Sequence, residues 1–350
     1  MFTNNNFVPD CQNIVDAALN RQPKRLPLYD HVINHPILEK VLGEILPWPD
    51  NESNSRTYFK GFSKFFHMLG YDVAAYEGAL SPALPGGGAL GTQKEGAIKT
   101  MEDFKKYPWD DVPEIYFKMY DSAFSALDAS MPEGMRAIGG VGYGVFEVVQ
   151  DLVGYTELCY MKYDDPELYS NMFQKVGDLL VAIWTELLKK HGDTFCVCRF
   201  GDDLGFRTTT LLPAEDVKEL IIPQYKRIID VIHNAGKPFL LHSCGQIFDI
   251  FDDIIDIAGI DAKHSNEDAI APFSEWVNRY GTRIGNFGGV DTDVICHDNL
   301  DYIREYTSNV LKECEGKGGI AIGSGNSVPD YINLDAYFAM NETVRKYRGE

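Results

Sequence analysis

Phe195-Cys-Val-Cys-Arg-Phe200, the segment Pro213–Asn234 and Pro238-Phe-Leu-Leu-His242 together form the stretch that decides the fold. The first and last pieces are apolar runs of strand length. Between them, Val217, Leu220, Ile221, Ile228, Ile229 and Ile232 recur at helical spacing. The opening Pro213-Ala-Glu-Asp216 places acidic residues where a helix N-terminus favours them. A strand, a crossover helix and a second strand make a β–α–β unit, which implies a parallel sheet.

Working outward, the same alternation predicts further strands at Leu26–Asp30, Asp72–Tyr76, Arg136–Val141, Gly259–Lys263, Arg283–Phe287 and Gly319–Ile322. Ile247–Ala258 and Asn299–Cys314 carry the helical period between the later ones. Eight strands with intervening helices predict a (β/α)8 barrel of the TIM type, read as one domain over the 350 residues. Extra helical material precedes it at Cys11–Arg21, His35–Leu46 and Thr57–Leu69, with residues 1–25 as an N-terminal helical extension. The run Ser81-Pro-Ala-Leu-Pro-Gly-Gly-Gly-Ala-Leu-Gly91 is too rich in glycine for an element interior. It reads either as a surface loop or, over residues 81–92, as a lid on the barrel mouth.

Composition narrows the function classes. With 45% hydrophobic and 24% charged residues, the chain is globular rather than disordered. Its net charge is −20, and no run of more than two consecutive Lys/Arg exists, so a nucleic-acid surface is not expected. No apolar run approaches the ~18 residues of a membrane span. The start Met1-Phe-Thr-Asn-Asn-Asn6 lacks the pattern of a secretory signal, and the seven dispersed cysteines read as thiols. These features suggest a soluble cytoplasmic protein.

Barrel enzymes carry their chemistry at the C-terminal strand ends. Those ends hold Asp30 and His31, Tyr76 and Glu77, Tyr143 with Glu147, Asp202 and Asp203, His242 and Cys244, His264 with Asn266 and Glu267, Asp291, and Ser324 with Asn326. The ring is acidic and poor in arginine, Arg207 being the nearest candidate. His242-Ser-Cys244-Gly245 is its sharpest feature. Residues two apart on a strand point the same way, so an imidazole and a thiolate can approach one ion, a donor set that suits Zn²⁺. The bland reading is a buried cysteine behind a hydrogen-bonded histidine. Asp202-Asp203, flanked by Gly201 and Gly205, reads as a general acid/base or substrate anchor, or as a helix cap; one of the two should face the cavity. Gly323-Ser-Gly-Asn-Ser-Val-Pro329 is a turn or an anion cradle. Cys196 and Cys198, two apart among apolar neighbours, read as core.

Several blocks resemble the uroporphyrinogen decarboxylase superfamily: Arg25-Leu-Pro-Leu-Tyr29, Gly144-Val-Phe-Glu147, Asp164-Asp-Pro-Glu167, Gly201-Asp-Asp-Leu-Gly205, Lys237-Pro-Phe-Leu-Leu-His-Ser-Cys-Gly245 and Gly288-Gly-Val-Asp291. The resemblance implies a (β/α)8 barrel and one of two chemistries, porphyrinogen decarboxylation or zinc-dependent methyl transfer with corrinoid proteins. It favours the methyltransferase branch. The Arg-Gln-Ala-Gly-Arg element of the decarboxylases is absent from Arg25-Leu-Pro-Leu-Tyr-Asp-His31, and His242-x-Cys244 is similar to the zinc motif of the methyltransferases. Their later cysteine falls near Ser324 here, a departure from the pattern. Cobalamin-independent methionine synthases have a related motif with a glutamate on the next strand, which suggests Glu267 as third ligand beside His242 and Cys244. The implied reading is a methyltransferase with Zn²⁺ at the mouth and cobalamin on a separate corrinoid protein. It would move a methyl group between that protein and a small methylated or methoxylated compound or a thiol. Asp202 or Asp203 would handle a proton, and Tyr143, Glu147, Arg207, Asn266, Asp291, Ser324 and Asn326 would line the substrate site. A metal-independent decarboxylase of a tetrapyrrole or smaller acid is the alternative enzyme, and a non-catalytic binding barrel the alternative class.

Overall fold

The computed structural model describes residues 7–297 and 299–350; the Met1–Asn6 start read above lies outside the described residues. Seven strands form one parallel curled sheet in chain order: β1 (Val73–Ala79), β2 (Arg136–Gly142), β3 (Phe195–Gly201), β4 (Phe239–His242), β5 (Ala262–His264), β6 (Gly285–Val290) and β7 (Ile320–Ser324). Each is covered by helices, giving the α/β architecture of a TIM-like barrel. The strands are nearly continuous apolar runs because both their faces are buried.

The eighth expected strand, Leu26–Asp30, is reduced to a bridge. Leu28 pairs in parallel with Ile322 of β7, through Tyr29 N–H to Ile322 O and Ile322 N–H to Pro27 O. Among the described residues no backbone ladder joins this segment to β1. Side chains close the barrel there instead. The Asp30 carboxylate accepts from the Tyr71 and Tyr337 hydroxyls and from Ser324 N–H, and Arg25 pairs with Asp72. β5 also begins later than Gly259–Lys263 predicts. Gly259 sits at φ +80 and ends the preceding helical turn rather than starting the strand.

The crossover between β3 and β4 is helical from Ala214 to Asn234, but Val217–Ile221 is a π-turn. Pro223, having no N–H, removes a bond from the next helical stretch, and the backbone widens before it. Trp184, on the long helix Pro166–His191, is fully buried against β2. A Cβ on Gly140 would lie 2.3 Å from its ring, so only glycine admits the indole at that strand position. Removing such a side chain costs about 3–5 kcal/mol. The short helix Gln12–Ala18 closes the bottom of the barrel, its end seated on Gly285 and Gly319 at the starts of β6 and β7.

The glycine-rich segment after β1 lies against helix Val145–Val153. Asp151 holds it, accepting from Ser81 Oγ (2.7 Å) and Leu90 N–H (3.1 Å).

Candidate functional site

The C-terminal ends of β3, β4 and β5 are laced together by their own backbones. Asp202 N–H donates to His242 O at 2.9 Å, Ser243 N–H to His264 O at 2.8 Å, and Gly205 N–H to Cys244 O at 3.2 Å. Beyond β4 the chain turns at Gly245, whose φ is +84. A Cβ there would meet the Gly205 backbone at 2.1 Å. Two glycines in contact thus set the Cys244 loop directly on the loop that follows β3.

His242 and Cys244 point the same way, as their spacing predicts. His242 Nε2 lies 3.4 Å from Cys244 Sγ and 3.7 Å from Asp203 Oδ1. Asp203 Oδ1 also accepts from Cys244 N–H at 2.9 Å. Donor atoms of these three residues all lie within 4.8 Å of one another. Ligands about 2.0–2.3 Å from a tetrahedral zinc stand roughly 3.3–3.7 Å apart, so the nitrogen–sulfur and nitrogen–oxygen spacings match tetrahedral edges. The residues therefore fit zinc in donor chemistry and in spacing. The sulfur also faces Asn326 Nδ2 at 3.4 Å and Ser265 Oγ at 3.6 Å. Burial pushes the Cys244 thiol up, and the Asp203 carboxylate adds to the shift.

A second cluster overlaps the first. His31, His242 and His264 are buried together, with His31 stacked on His242 at a centroid distance of 3.7 Å. His242 Nδ1 and His264 Nδ1 are 2.7 Å apart, and His264 Nε2 is 3.0 Å from Ser324 O. A 2.7 Å separation is a hydrogen bond and too short for two ligands of one ion, so this cluster supports the metal group rather than forming another. Burial holds all three imidazoles neutral; for His264 the fall is to about 3.

The two aspartates divide. Asp202 is fully buried and accepts from Phe146 N–H (2.9 Å), Glu147 N–H (2.8 Å) and Tyr225 OH (2.5 Å). It satisfies the N-terminus of helix Val145–Val153, while burial raises its carboxyl to about 7 against those bonds. Asp203 is the one at the mouth. Beside them, burial and then the Asp202 and Asp203 charges push the Glu147 carboxyl well up. Tyr143, half-buried next to it, holds φ +71. A non-glycine residue in that region marks backbone held by its surroundings.

The remaining predicted residues scatter. Glu267 is not among the atoms within 4.8 Å of the histidine and cysteine; burial raises its carboxyl, with Asp291 and Asp203 adding and Arg207 opposing. Arg207 is exposed on the loop after β3. Asp291 caps a short helix through Asp293 N–H and also accepts from Asp268 N–H. Asn266 accepts from Gly289 N–H at 2.9 Å, while its buried Nδ2 has no partner among the described residues. Ser324 contributes backbone, to His264 and Asp30.

Sequence reasoning passed over two buried cations. Arg199 of β3 points into the barrel and is held by Glu77 (2.8 and 3.1 Å), Tyr29 OH (3.0 Å) and His31 O (2.7 Å). Lys263 of β5 lies 3.6 Å from the centre of the Trp276 ring and donates to Ser265 O; burial lowers its ammonium to about 7. The available signal was a charged residue inside an apolar strand, which needs a buried partner.

With this geometry in place, the chain was compared with known proteins. Residues 90–347 match the uroporphyrinogen decarboxylase (URO-D) family. A search of curated proteins gives no match. Among solved structures, a methyltransferase from Methanosarcina mazei superposes with a TM-score of 0.72 at 15% identity, covering 96% of this chain and 98% of that one. A Listeria monocytogenes protein taken to be a vitamin-B12-independent methionine synthase superposes with a TM-score of 0.54 at 12% identity, covering 93% and 100%. At these identities the likeness is one of fold. Among the described residues no helix is long and apolar enough to cross a membrane.

Proposed function

Because the chain belongs to the uroporphyrinogen decarboxylase family, and because its mouth offers a zinc-type donor set rather than a polycarboxylate cradle, we propose that it is a methyltransferase. In this reading it moves a methyl group between a small methylated compound, such as a methoxylated one, or a thiol, and cobalamin carried on a separate corrinoid protein. The observation that carries it is the convergence of His242 Nε2, Cys244 Sγ and Asp203 Oδ1 at the end of β4. Zinc bound there supplies a Lewis acid for the heteroatom that gives or accepts the methyl group. His242 and Cys244 hold it, and Asp203 takes the place first read for Glu267. Asp203 lies partly in solvent, where its carboxylate oxygen left free of the metal would pass a proton between the substrate and water. Asn326 and Ser265 donate toward the sulfur and steady it as a thiolate. The Methanosarcina structure, named a methyltransferase and aligned along almost the whole chain, supports this branch of the family.

The decarboxylase alternative needs cations for many carboxylates. The buried Arg199 is already committed to Glu77, Tyr29 and His31, and Arg207 stands alone on its loop. The test offers purified protein, with zinc, a panel of methoxylated compounds and thiols together with free reduced cobalamin, and follows methylcobalamin formation or loss by absorbance. Turnover that disappears with a zinc chelator supports the proposal. Stoichiometric conversion of uroporphyrinogen to coproporphyrinogen without metal would move the protein to the other branch.

A further inference from the structure

We infer that His264 is a positioning residue that fixes His242 as the Nδ1–H tautomer and so reserves Nε2 for the metal. Ser324 O only accepts, and His264 Nε2 stands 3.0 Å from it, so that nitrogen carries a hydrogen. His264 is completely buried, and its ring nitrogens face Ser324 O and His242, with no carboxylate against them to support a second proton. Its Nδ1 is therefore a lone pair. That lone pair faces His242 Nδ1 at 2.7 Å, and two nitrogens at this distance share one hydrogen, which belongs to His242. His242 Nε2 is then left bare, and it is the atom that faces Cys244 Sγ and Asp203 Oδ1.

His31 completes the device. Its ring lies on His242 at 3.7 Å with 6° between the planes, so the stack holds the plane of the His242 ring, and a flip within that plane would break the nitrogen–nitrogen bond. Metal-bound histidines ordinarily give their second N–H to a carboxylate, a carbonyl or water. Here a second imidazole stands in that place and relays the orientation from the backbone of β7 through β5 to β4. The metal consequence rests on the function proposed above; the tautomer itself does not.

The experiment therefore has two arms. Full-length, metal-free wild type labelled with ¹⁵N-histidine is read by NMR, with His242 assigned from the signals lost in His242→Gln. A protonated Nδ1 and a bare Nε2 are expected, and Nε2–H on His242 overturns the inference. Zinc affinity is then measured by competition with a chromophoric chelator. His264→Phe should bind about 10–100-fold more weakly, and His264→Asn, which returns an acceptor near the Nδ1 position, should regain most of that loss. Wild-type affinity in folded His264→Phe overturns the inference and leaves the metal site standing. Absence of zinc from wild type removes the metal reading, and the NMR arm still decides the tautomer.

Discussion

A histidine–aspartate pair flanks each end of strand β4, and the two pairs behave in opposite ways. At the lower end His233 Nε2 meets Asp261 Oδ2 at 2.7 Å, and the same oxygen accepts from Phe239 N–H where the strand begins. At the upper end His242 Nε2 stands 3.7 Å from Asp203 Oδ1, with the Cys244 sulfur beside it. The lower histidine is 38% exposed and its partner raises its pKa; the upper one is buried and is driven well below the usual value. The same residue types therefore become a charged clamp at one end and a neutral donor at the other. Partner and burial decide between them: the hydrogen bond to Asp261 favours the proton on His233, and burial disfavours it on His242. This is the division of labour expected of barrels, with stability at the bottom and chemistry at the top.

The strongest way to break the comparison is to remove the upper donors. His242→Ala or Cys244→Ala should take zinc from about one per chain to none, measured by elemental analysis after purification without chelators. Wild type with no zinc under those conditions would make the two ends of β4 alike. The next test separates neighbouring carboxylates. Asp203→Asn should slow methyl transfer about 10²–10⁴-fold with little change in melting temperature. Asp202→Asn should do the reverse. In either orientation its amide would oppose a backbone N–H, of Phe146 or Glu147, and the loss is roughly 3 kcal/mol of stability by denaturant unfolding. Two variants with equal activity would leave Asp203 with no more than a loop's role.

Gly245→Ala tests whether the upper end depends on its glycine contact. The backbone sits at φ +84 and a Cβ would meet Gly205, so a cost of about 2–4 kcal/mol is expected, with weaker zinc retention. Unchanged stability would mean that the two loops part easily.

Much of this was legible beforehand for a plain reason. The seven strands are short apolar runs between helices of clear period, and local pattern marks such runs without knowledge of their neighbours. The two-residue spacing likewise suggested that His242 and Cys244 share a side, and they do meet, although Cys244 lies past the end of β4 and is set there by its loop. Other parts depended on closure. His31 and His264 touch His242 only because the ring of strands brings residue 31 beside residue 242. The choice between Asp202 and Asp203 fell just past the end of β3, where strand phase stops predicting direction. Glu267 follows β5 as the resemblance suggested, yet its backbone forms a tight turn that accepts from Ile270 and Ala271 N–H, and Asp203 reaches the sulfur side instead. Arg199 and Lys263 were hidden for another reason: a charged residue in a buried strand is interpretable only once its partner is known.

The smallest effect belongs to the lower end of β4 and concerns pH. The hydrogen bond to Asp261 raises His233, burial opposes it, the Asp261 and Asp230 charges add and Lys226 subtracts. A histidine whose folded pKa exceeds its unfolded value contributes stability that is fully present below about 6.5 and is lost as pH rises through the folded value. At 38% exposure the clamp is screened by solvent, so its worth is about 1 kcal/mol or less. Wild type should therefore exceed His233→Gln in unfolding free energy near pH 5.5, and the gap should close as pH rises through the folded value. Low salt should widen it. His242 sets the contrast, because its buried ring is neutral in the folded protein and gains a proton only on unfolding below about 6.5, so its linkage runs the other way. A gap that widened with rising pH would mean that His233 is neutral in the folded protein, and the two ends of β4 would then differ in position alone.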